Sequence, residues 1–435
     1  MERFDYLIIG NSVGAVGCME TLRSFDRDSS VAVIGEEPHH VYSRALLPYY
    51  LDVEVPVEKM LYRPAGFYER LGVTPILGRR AVSLDVAGRV VRMDDGRTIA
   101  YRKLLLATGG RPVVPPVPGL DPEKENICNF VALQDLQRIG RLLPAAGRVV
   151  VLGGGIIGLM AAEALHKKGL QVSVVELAPR VLAPVLDETA SRLVEETFRR
   201  SGVAIYTGTT FKEVMGGERA TGVVLTDGTT LSCDLLVVAV GVVPRTDLAK
   251  EAGLAVNRGI LVSKRMETSA AGVYACGDCA EVYDFLLGDR RVLPLWPNAY
   301  AGGRVAAYNM LGMVREYDNA TAMNAMHFLD LNLITAGLNT MGEKDGFQVI
   351  SRHDGNSRSY RRFVLKDDRI YGFTLVTGIA RAGIFLNLMR KGCAVTAFKD
   401  KLLEENFGYV DTPEATRWDL LSYEKEVERH AAASQ

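Results

Sequence analysis

One segment of the chain has the glycine spacing of a dinucleotide-binding loop. Gly153, Gly155 and Gly158 follow the predicted strand 148–152, and an apolar helical pattern comes next. The first glycine allows a tight turn, the second lets a phosphate approach the backbone, and the third lets the helix pack closely on the strand. The first N–H groups of that helix can then bind a pyrophosphate. The segment therefore predicts a strand, a phosphate-binding loop and a helix in succession.

An acidic residue follows this loop at the position where a ribose needs one. Glu176 comes directly after the next predicted strand, residues 172–175, about 20 residues beyond the first glycine. A carboxylate there accepts hydrogen bonds from a ribose diol and repels a 2′-phosphate, which favours NADH over NADPH. Arg180 is close enough in sequence to weaken that preference. We also assign Ile157 and Gly241 to this site.

A loop near the N-terminus has a relaxed form of the same pattern. Gly10, Ser12 and Gly14 follow the apolar run 6–9, and the serine stands where the second glycine is usual. Small residues still allow a phosphate to approach the backbone, and a helix is expected to begin near Val13. Two such loops predict two dinucleotides in one protein, with electron transfer between them.

The N-terminal loop also has an acid for the ribose of its ligand. Glu36 follows the predicted strand 31–35, and Glu37 is the alternative. Each loop is followed much later by a hairpin turn and an apolar strand that ends in glycine, at residues 104–109 and 236–241. This matched context strengthens the prediction, because an isolated glycine fingerprint often has no ligand.

In combination, these motifs resemble those of the FAD/NAD(P)-dependent pyridine nucleotide-disulfide oxidoreductase superfamily. Within it, the chain is most similar to NADH oxidases, rubredoxin reductases and the flavoprotein portion of NADH-dependent nitrite reductases. The resemblance covers the whole chain, and its motifs lie at residues 107–109, 241–244 and 273–278, with local similarity at 42–44, 296–297 and 371–376.

The resemblance implies that the first loop binds FAD and the second binds NADH. It implies FAD contacts from the end of the first downstream strand, namely Ala107, Thr108 and Gly109. Asp278 would bind the ribityl chain of the flavin at the start of a helix, whose positive end would stabilise the reduced ring. Arg44 would bind the FAD pyrophosphate, and Arg304 would be a further cationic contact.

The sequence departs from the family at the redox cysteine of its disulfide-reducing members. Ala45 occupies that position within residues 43–49, and an alanine cannot relay electrons as a thiolate does. Cys276 and Cys279 form a C-x-x-C pair, but no second pair of metal ligands is suitably spaced. We interpret them as small buried residues, assign no catalytic side chain and expect no metal.

The proline-rich residues 112–118 and the segment 241–244 predict where the chain crosses between domains. The predicted fold class is α/β, with two Rossmann-like domains and a C-terminal α+β dimerisation domain. The FAD-binding domain comprises residues 1–118 and 241–314, the NAD-binding domain is inserted at 119–240, and the C-terminal domain covers 315–435. A hairpin at 366–369 and a charged terminal helix after Tyr423 are expected in the last of these. The resemblance implies a homodimer.

Composition excludes several other classes of protein. The net charge of −1 gives no electrostatic reason to expect nucleic acid or an anionic membrane as partner. No apolar run approaches the ~20 residues of a membrane helix. The first strand begins directly after the N-terminus, which leaves no room for a signal peptide. These features, and six cysteines without a disulfide-type pattern, lead us to expect a cytoplasmic protein.

The sequence therefore predicts a FAD-dependent NADH oxidoreductase. Hydride would pass from NADH to the flavin, and electrons would pass on to a carrier protein such as rubredoxin, ferredoxin or an iron–sulfur partner, without a cysteine relay. One alternative is an NADH oxidase that reduces dioxygen. Another, of a different class, is a flavin-binding redox-sensing or docking subunit, although such a subunit has no need of an NADH site.

Overall fold

The protein is represented by a computed structural model, which describes residues 1–52 and 56–421. The predicted terminal helix after Tyr423 lies outside these residues. No helix in the described ranges is both long enough and apolar enough to cross a membrane.

The strands, in chain order, are β1 (Glu2–Ile9), β2 (Val31–Gly35), β3 (Val73–Leu77), β4 (Ala81–Asp85), β5 (Val90–Met93), β6 (Thr98–Leu106), β7 (Gly110–Pro112), β8 (Ile127–Asn129), β9 (Arg148–Leu152), β10 (Gln171–Glu176), β11 (Ala204–Thr207), β12 (Phe211–Met215), β13 (Gly222–Leu225), β14 (Thr230–Ser232), β15 (Leu235–Val238), β16 (Val242–Pro244), β17 (Ile260–Leu261), β18 (Val273–Ala275), β19 (Ala280–Asp284), β20 (Asp289–Val292), β21 (Met323–Phe328), β22 (Leu331–Gly337), β23 (Gln348–Asp354), β24 (Ser359–Lys366) and β25 (Arg369–Val376). The helices are α1 (Val13–Phe25), α2 (Leu47–Asp52), α3 (Phe67–Arg70), α4 (Leu133–Leu142), α5 (Ile156–Lys167), α6 (Glu188–Ser201), α7 (Asp247–Glu251), α8 (Trp296–Met310), α9 (Ala382–Lys391) and α10 (Glu414–Leu421).

The first sheet is built around the N-terminal strand. Its order is β3-β2-β1-β6-β5-β4, and β18 pairs with β6 from much later in the chain. The strands β1, β2, β3, β6 and β18 run parallel to their partners in that group. All five residues of β2 are buried, as expected for a parallel strand that is covered on both faces. Strand β18 thus brings the chain back to the first sheet.

Glycines hold helices α1 and α8 close together on this sheet. A Cβ atom on Gly17 would lie 2.4 Å from the carbonyl oxygen of Tyr300, and one on Gly303 would lie 2.0 Å from that of Gly14. Both contacts are too short for any side chain. The late helix α8 therefore packs directly against the helix that follows the first glycine loop.

The second sheet repeats this architecture with the order β11-β10-β9-β15-β8, and every pair is parallel. The chain passes between the two sheets where β7 and β16 pair antiparallel. The N–H of Val113 also donates to the carbonyl of Gly241 at 3.0 Å. The two predicted crossing segments are therefore neighbours, while the residue limits of the domains stay a prediction.

The C-terminal part forms an antiparallel sheet of order β21-β22-β25-β24-β23. The predicted hairpin at 366–369 is confirmed, since β24 and β25 pair antiparallel on either side of Asp367 and Asp368. Both turn residues are left-handed, with φ values of +50° and +52°. Phe385 of α9 packs on one face of the sheet, 4.8 Å from the ring of Phe363. Residues of the other face, such as Tyr360, join the core of the second domain. The predicted α/β fold class is confirmed.

Candidate dinucleotide sites

The two glycine loops have nearly the same backbone geometry. The N–H of Gly10 donates to the carbonyl of Ile34 at 2.8 Å, and that of Gly153 donates to Val175 at 2.8 Å. Both glycines have left-handed φ values, +114° and +112°. Each loop is thus attached at its start to the end of the neighbouring parallel strand. The repeat seen in the sequence is a repeat in three dimensions.

Neither first glycine could be replaced by a residue with a side chain. A Cβ atom on Gly10 would lie 2.0 Å from the carbonyl oxygen of Ala107, and one on Gly153 would lie 2.4 Å from that of Ala239. Gly158 serves helix packing, because its Cβ would lie 1.9 Å from the oxygen of Gly153. Two of the three roles expected of the glycines, the tight turn and the close helix–strand packing, are therefore visible.

The helices that follow the loops begin without a side-chain cap. Ser12 precedes α1 and Gly155 precedes α5, and neither caps the first amides of its helix through a side chain. A Cβ atom on Gly155 would meet nothing within 4 Å, so open space lies in front of that residue. Free N–H groups at a helix start fit a pyrophosphate in both loops, and in the second loop they lie beside open space.

Glu176 is the last residue of β10, where the sequence places the ribose-binding acid. Its carboxylate accepts hydrogen bonds from the N–H groups of Gly154 at 2.6 Å and Ala178 at 2.7 Å. These bonds fix the carboxylate beside the second loop. Arg180 is directed elsewhere, since its guanidinium donates to the carbonyl of Leu186 at 3.4 Å. Ile157 lies in the first turn of α5, half-buried, and Gly241 follows β15 with a φ of +104°.

A cleft of about 440 Å³ adjoins the first loop. Gly10, Glu36 and Thr108 line it, and so do four arginines that the sequence analysis missed: Arg79, Arg80, Arg111 and Arg245. Glu36 forms an ion pair with Arg245 across this cleft. Arg111 and Arg79 pair with Asp247 and Asp95, so the charge of the cleft is mixed. Its guanidinium groups are nevertheless the kind of donors that the phosphates of FAD accept, next to a helix start. Arg245 directly follows the Gly-Val-Val-Pro motif, and this adjacency was the one sequence signal for it.

The end of the first downstream strand is joined to the second crossing segment. The hydroxyl of Thr108 donates to the carbonyl of Arg245 at 2.8 Å, and the N–H of Arg245 donates to Gly109 at 2.9 Å. Ala107 lies against Gly10, as described above. The strand itself ends at Leu106, so the three residues 107–109 form the loop beyond it. The fold brings these predicted FAD contacts together with Gly10 and Glu36.

Arg44 and Glu37 form a separate group. Arg44 forms an ion pair with Glu37 and donates to the carbonyl of Val131 at 2.7 Å. The hydroxyl of Tyr42 donates to the other oxygen of Glu37 at 2.7 Å. Glu37, the alternative ribose acid, is therefore bonded to Arg44 and Tyr42, whereas Glu36 lines the cleft. Arg304 is exposed on α8.

The predicted helix at Asp278 is wrong. Asp278 lies in a three-residue 3-10 turn, Gly277–Cys279, and strand β19 follows at once. Residues 280–284 pair with β17 and β20, and this pairing replaces the helix that the glycine and aspartate suggested. Burial raises the pKa of Asp278, and the nearby charge of Arg44 opposes that shift. The helix-dipole argument for this residue therefore fails, although its carboxylate lies near a cation.

The cysteines have buried environments. Cys276 and Cys279 are 1% and 0% exposed, and the thiol of Cys279 donates to the carbonyl of Cys276 at 3.3 Å. Burial raises the pKa of both thiols, which disfavours a reactive thiolate. Ala45 is exposed in the turn Arg44–Leu46. Within the described residues no group of three or more His, Cys, Asp or Glu side chains could hold a metal ion.

Two sheets, each with a group of parallel strands and a matched phosphate-binding loop, define a two-dinucleotide oxidoreductase. The chain belongs to the pyridine nucleotide-disulphide oxidoreductase family, whose sequence model matches residues 4–303. The family binds FAD and NAD(P)H, and the protein is an NAD(P)H oxidoreductase.

Individual relatives match most of the chain. The epsilon subunit of the NADH-dependent phenylglyoxylate dehydrogenase of Aromatoleum evansii is 30% identical over 408 residues, which cover 93% of this chain and 95% of that subunit. The NAD(P)H nitrite reductase of Bacillus subtilis (strain 168) is 29% identical over 394 residues; these cover 90% of this chain but 48% of the reductase, about half its length. Putidaredoxin reductase, in its covalent complex with putidaredoxin, superposes with a TM-score of 0.85 at 27% identity, covering 93% of this chain and 97% of the other.

Proposed function

We propose that the protein oxidises NADH and passes the electrons through FAD to a carrier protein. The observation that carries this proposal is the pair of loops with unequal surroundings: an arginine-lined cleft at Gly10 and a fixed carboxylate at Gly153. Bound FAD would accept a hydride and release its electrons again. The chain's own residues bind and orient the two dinucleotides, which is the main contribution that such a reaction needs from the protein.

The preference for NADH rests on Glu176. Its carboxylate is held by two backbone N–H groups, so it stays beside the loop and can still accept bonds from a ribose diol. A 2′-phosphate would meet this negative charge. Arg180, which could have attracted the phosphate, donates to Leu186 instead. The relative from Aromatoleum is itself described as NADH-dependent.

The choice of a protein acceptor rests on two observations. Ala45 provides no thiol at the position of the family's redox cysteine, and the Cys276–Cys279 pair is buried. Neither place therefore offers a thiolate that could pass electrons from the flavin to a disulfide substrate. One relative is a subunit of a larger dehydrogenase, and a solved neighbour was captured with its carrier putidaredoxin. We therefore favour a one-electron carrier, and we further propose that the protein is a homodimer.

Anaerobic reduction followed by an acceptor screen tests the proposal. NADH should bleach the flavin absorbance rapidly and NADPH slowly, and a rubredoxin or ferredoxin should then reoxidise the flavin at turnover rates within the usual 1–10³ s⁻¹. Faster bleaching by NADPH would contradict the assignment of Glu176. Oxygen consumption faster than reduction of every carrier would identify an NADH oxidase. Turnover below about one per minute with all acceptors would point to a redox-sensing or docking subunit.

A further inference from the structure

Two arginines lie directly opposite each other on the C-terminal sheet. Arg352 of β23 and Arg361 of β24 are cross-strand partners, so their side chains share one face. Like charges in this arrangement destabilise a sheet unless an anion lies between them. Arg361 is also 2% exposed, which removes it from the screening effect of water. No ion pair of Arg361 occurs within residues 1–52 and 56–421.

The guanidinium of Arg361 is only partly satisfied. One terminal nitrogen donates to the carbonyl of Gly378 at 3.0 Å. The other terminal nitrogen and Nε are buried and have no acceptor in the described part of the chain. Burial lowers the pKa of Arg361; Glu405 opposes this shift, while Arg381 adds a further like charge. A buried cation with unused donors is costly unless something pairs with it.

A cleft of about 490 Å³ lies beside these arginines. Its polar lining comprises Arg352, Asp354, Ser357, Ser359, Arg361, Glu404, Glu405 and Asn406. Asp354 is occupied by its own turn, since it accepts from the N–H of Asn356 at 3.0 Å and the hydroxyl of Ser357 at 2.8 Å. Glu405 accepts the hydroxyl of Ser359 at 3.0 Å. The cleft thus combines cationic donors with two carboxylates that already have partners, Asp354 and Glu405, and with the carboxylate of Glu404.

We propose that this cleft binds a small monocarboxylate, with its carboxylate between Arg361 and Arg352. Guanidinium groups match a carboxylate with paired hydrogen bonds. A single negative charge is favoured over a dianion, because the carboxylates of Asp354, Glu404 and Glu405 line the same cleft and repel added charge. The side chains of its neighbours Tyr360 and Arg362 both reach Asp187, on the side of the second domain. Arg361, between them in the strand, therefore faces the opposite way. The site is therefore separate from both dinucleotide loops.

Butyrate is a suitable probe, because its aliphatic chain cannot stack on a flavin. Its binding to the holoenzyme would be measured by calorimetry and by thermal unfolding, against sodium chloride at equal ionic strength. The native protein should bind butyrate with a Kd of at most about 10 mM, and binding should raise the melting temperature. In Arg352→Gln, which changes an exposed residue, the Kd should rise at least about tenfold. Arg369→Gln, an exposed position on β25 away from the cleft, is the matched control and should bind as the native protein does.

Arg361→Met distinguishes a ligand site at Arg361 from the alternative that Glu405 of the same chain already neutralises this arginine. Loss of a buried cation without a full partner should leave the melting temperature in the absence of butyrate unchanged or higher, and should abolish the response to butyrate. A large fall in melting temperature, together with no butyrate binding by the native protein, would mean that Glu405 already pairs with Arg361, and would overturn the proposal. Inorganic phosphate that binds more tightly than butyrate would overturn the assignment to monocarboxylates. If Arg361→Met does not fold, Arg352→Gln still decides, because unchanged butyrate binding there would also refute the site.

Discussion

The hydroxyl of Tyr360 donates a 2.8 Å hydrogen bond to the carboxylate of Asp187. This bond joins the C-terminal sheet to the segment 182–187, which in turn contacts the second glycine loop. At the other end of that segment, the N–H of Leu182 donates to the carbonyl of Gly154 at 2.9 Å. Leu182 has a left-handed φ of +54°, a strained conformation for leucine that its surroundings must maintain. Asn339 adds a 2.6 Å bond to the carbonyl of Val185. The C-terminal part of the chain therefore helps to position the second glycine loop.

Tyr360→Phe should weaken NADH binding without touching the dinucleotide. The variant removes a hydrogen bond to a charged group, which typically stabilises the folded state by about 1.5–3 kcal/mol. Without it, the segment 182–187 should become more mobile and hold the second glycine loop less firmly. We expect the KM and Kd for NADH to rise about three- to tenfold, with kcat and FAD content nearly unchanged. Stopped-flow reduction of the flavin at varied NADH concentrations measures both constants.

Tyr409→Phe is the matched control for this variant. Its hydroxyl accepts a 3.3 Å bond from Asn387, also within the C-terminal part but away from the second glycine loop. It should leave the KM for NADH unchanged. Equal effects of the two substitutions would mean that Tyr360 contributes general stability and does not position the loop.

The elements that position both loops were predictable because their signals are local. Each site consists of a continuously apolar strand, a glycine turn and a helix, which follow one another within about 30 residues. Each loop residue acts on its immediate neighbours in this unit. Glu176 was found for the same reason, since it ends the next strand. The strand after Asp278 was missed because residues 280–284 depend on pairing with β17 and β20, which no local pattern reveals. Arg245 reaches Glu36 from far along the chain, and such contacts require the fold.

Gly155→Ala should separate ligand binding from stability. The backbone at Gly155 has a φ of −78°, and an added Cβ meets nothing within 4 Å, so the fold tolerates alanine. The new methyl group would occupy the space through which a pyrophosphate approaches. We expect an unchanged melting temperature and a Kd for NADH raised about tenfold or more.

The matched control for that variant is Gly140→Ala, inside α4, where a Cβ also meets nothing within 4 Å. Alanine should stabilise this helix slightly and leave NADH binding unchanged. A lower melting temperature for Gly155→Ala but not for Gly140→Ala would show that Gly155 is needed for the fold itself.

Glu176→Gln should reduce discrimination against NADPH. The amide keeps the size of the side chain and one acceptor oxygen, so it loses one of the two backbone hydrogen bonds, and it removes the charge that repels a 2′-phosphate. We expect the ratio of kcat/KM for NADH to that for NADPH to fall about tenfold, mainly through better use of NADPH. Glu213→Gln, at an exposed position on β12, is the control and should leave the ratio unchanged. An unaltered ratio in Glu176→Gln would place the determinant of cofactor choice elsewhere.

Asp278→Asn should make the flavin-free protein more stable at neutral pH. Burial raises the pKa of Asp278 above its ordinary value of 3.8, so the folded protein binds its proton more tightly than the unfolded chain does. Below pH 3.8 the carboxyl is protonated in both states, and this favourable contribution is complete. As pH rises through the raised pKa, the folded protein must hold a buried charge and the contribution is lost.

Urea unfolding of the apoprotein between about pH 4 and 8 measures this effect. The free energy of unfolding of Asp278→Asn should exceed that of the native protein by an amount that grows with pH and then levels off. The exposed control Asp318→Asn should show no such difference. A constant difference across this range would mean that Asp278 does not bind an extra proton on folding. If the variant also loses affinity for FAD, a residue that destabilises the free protein is kept for the sake of the flavin.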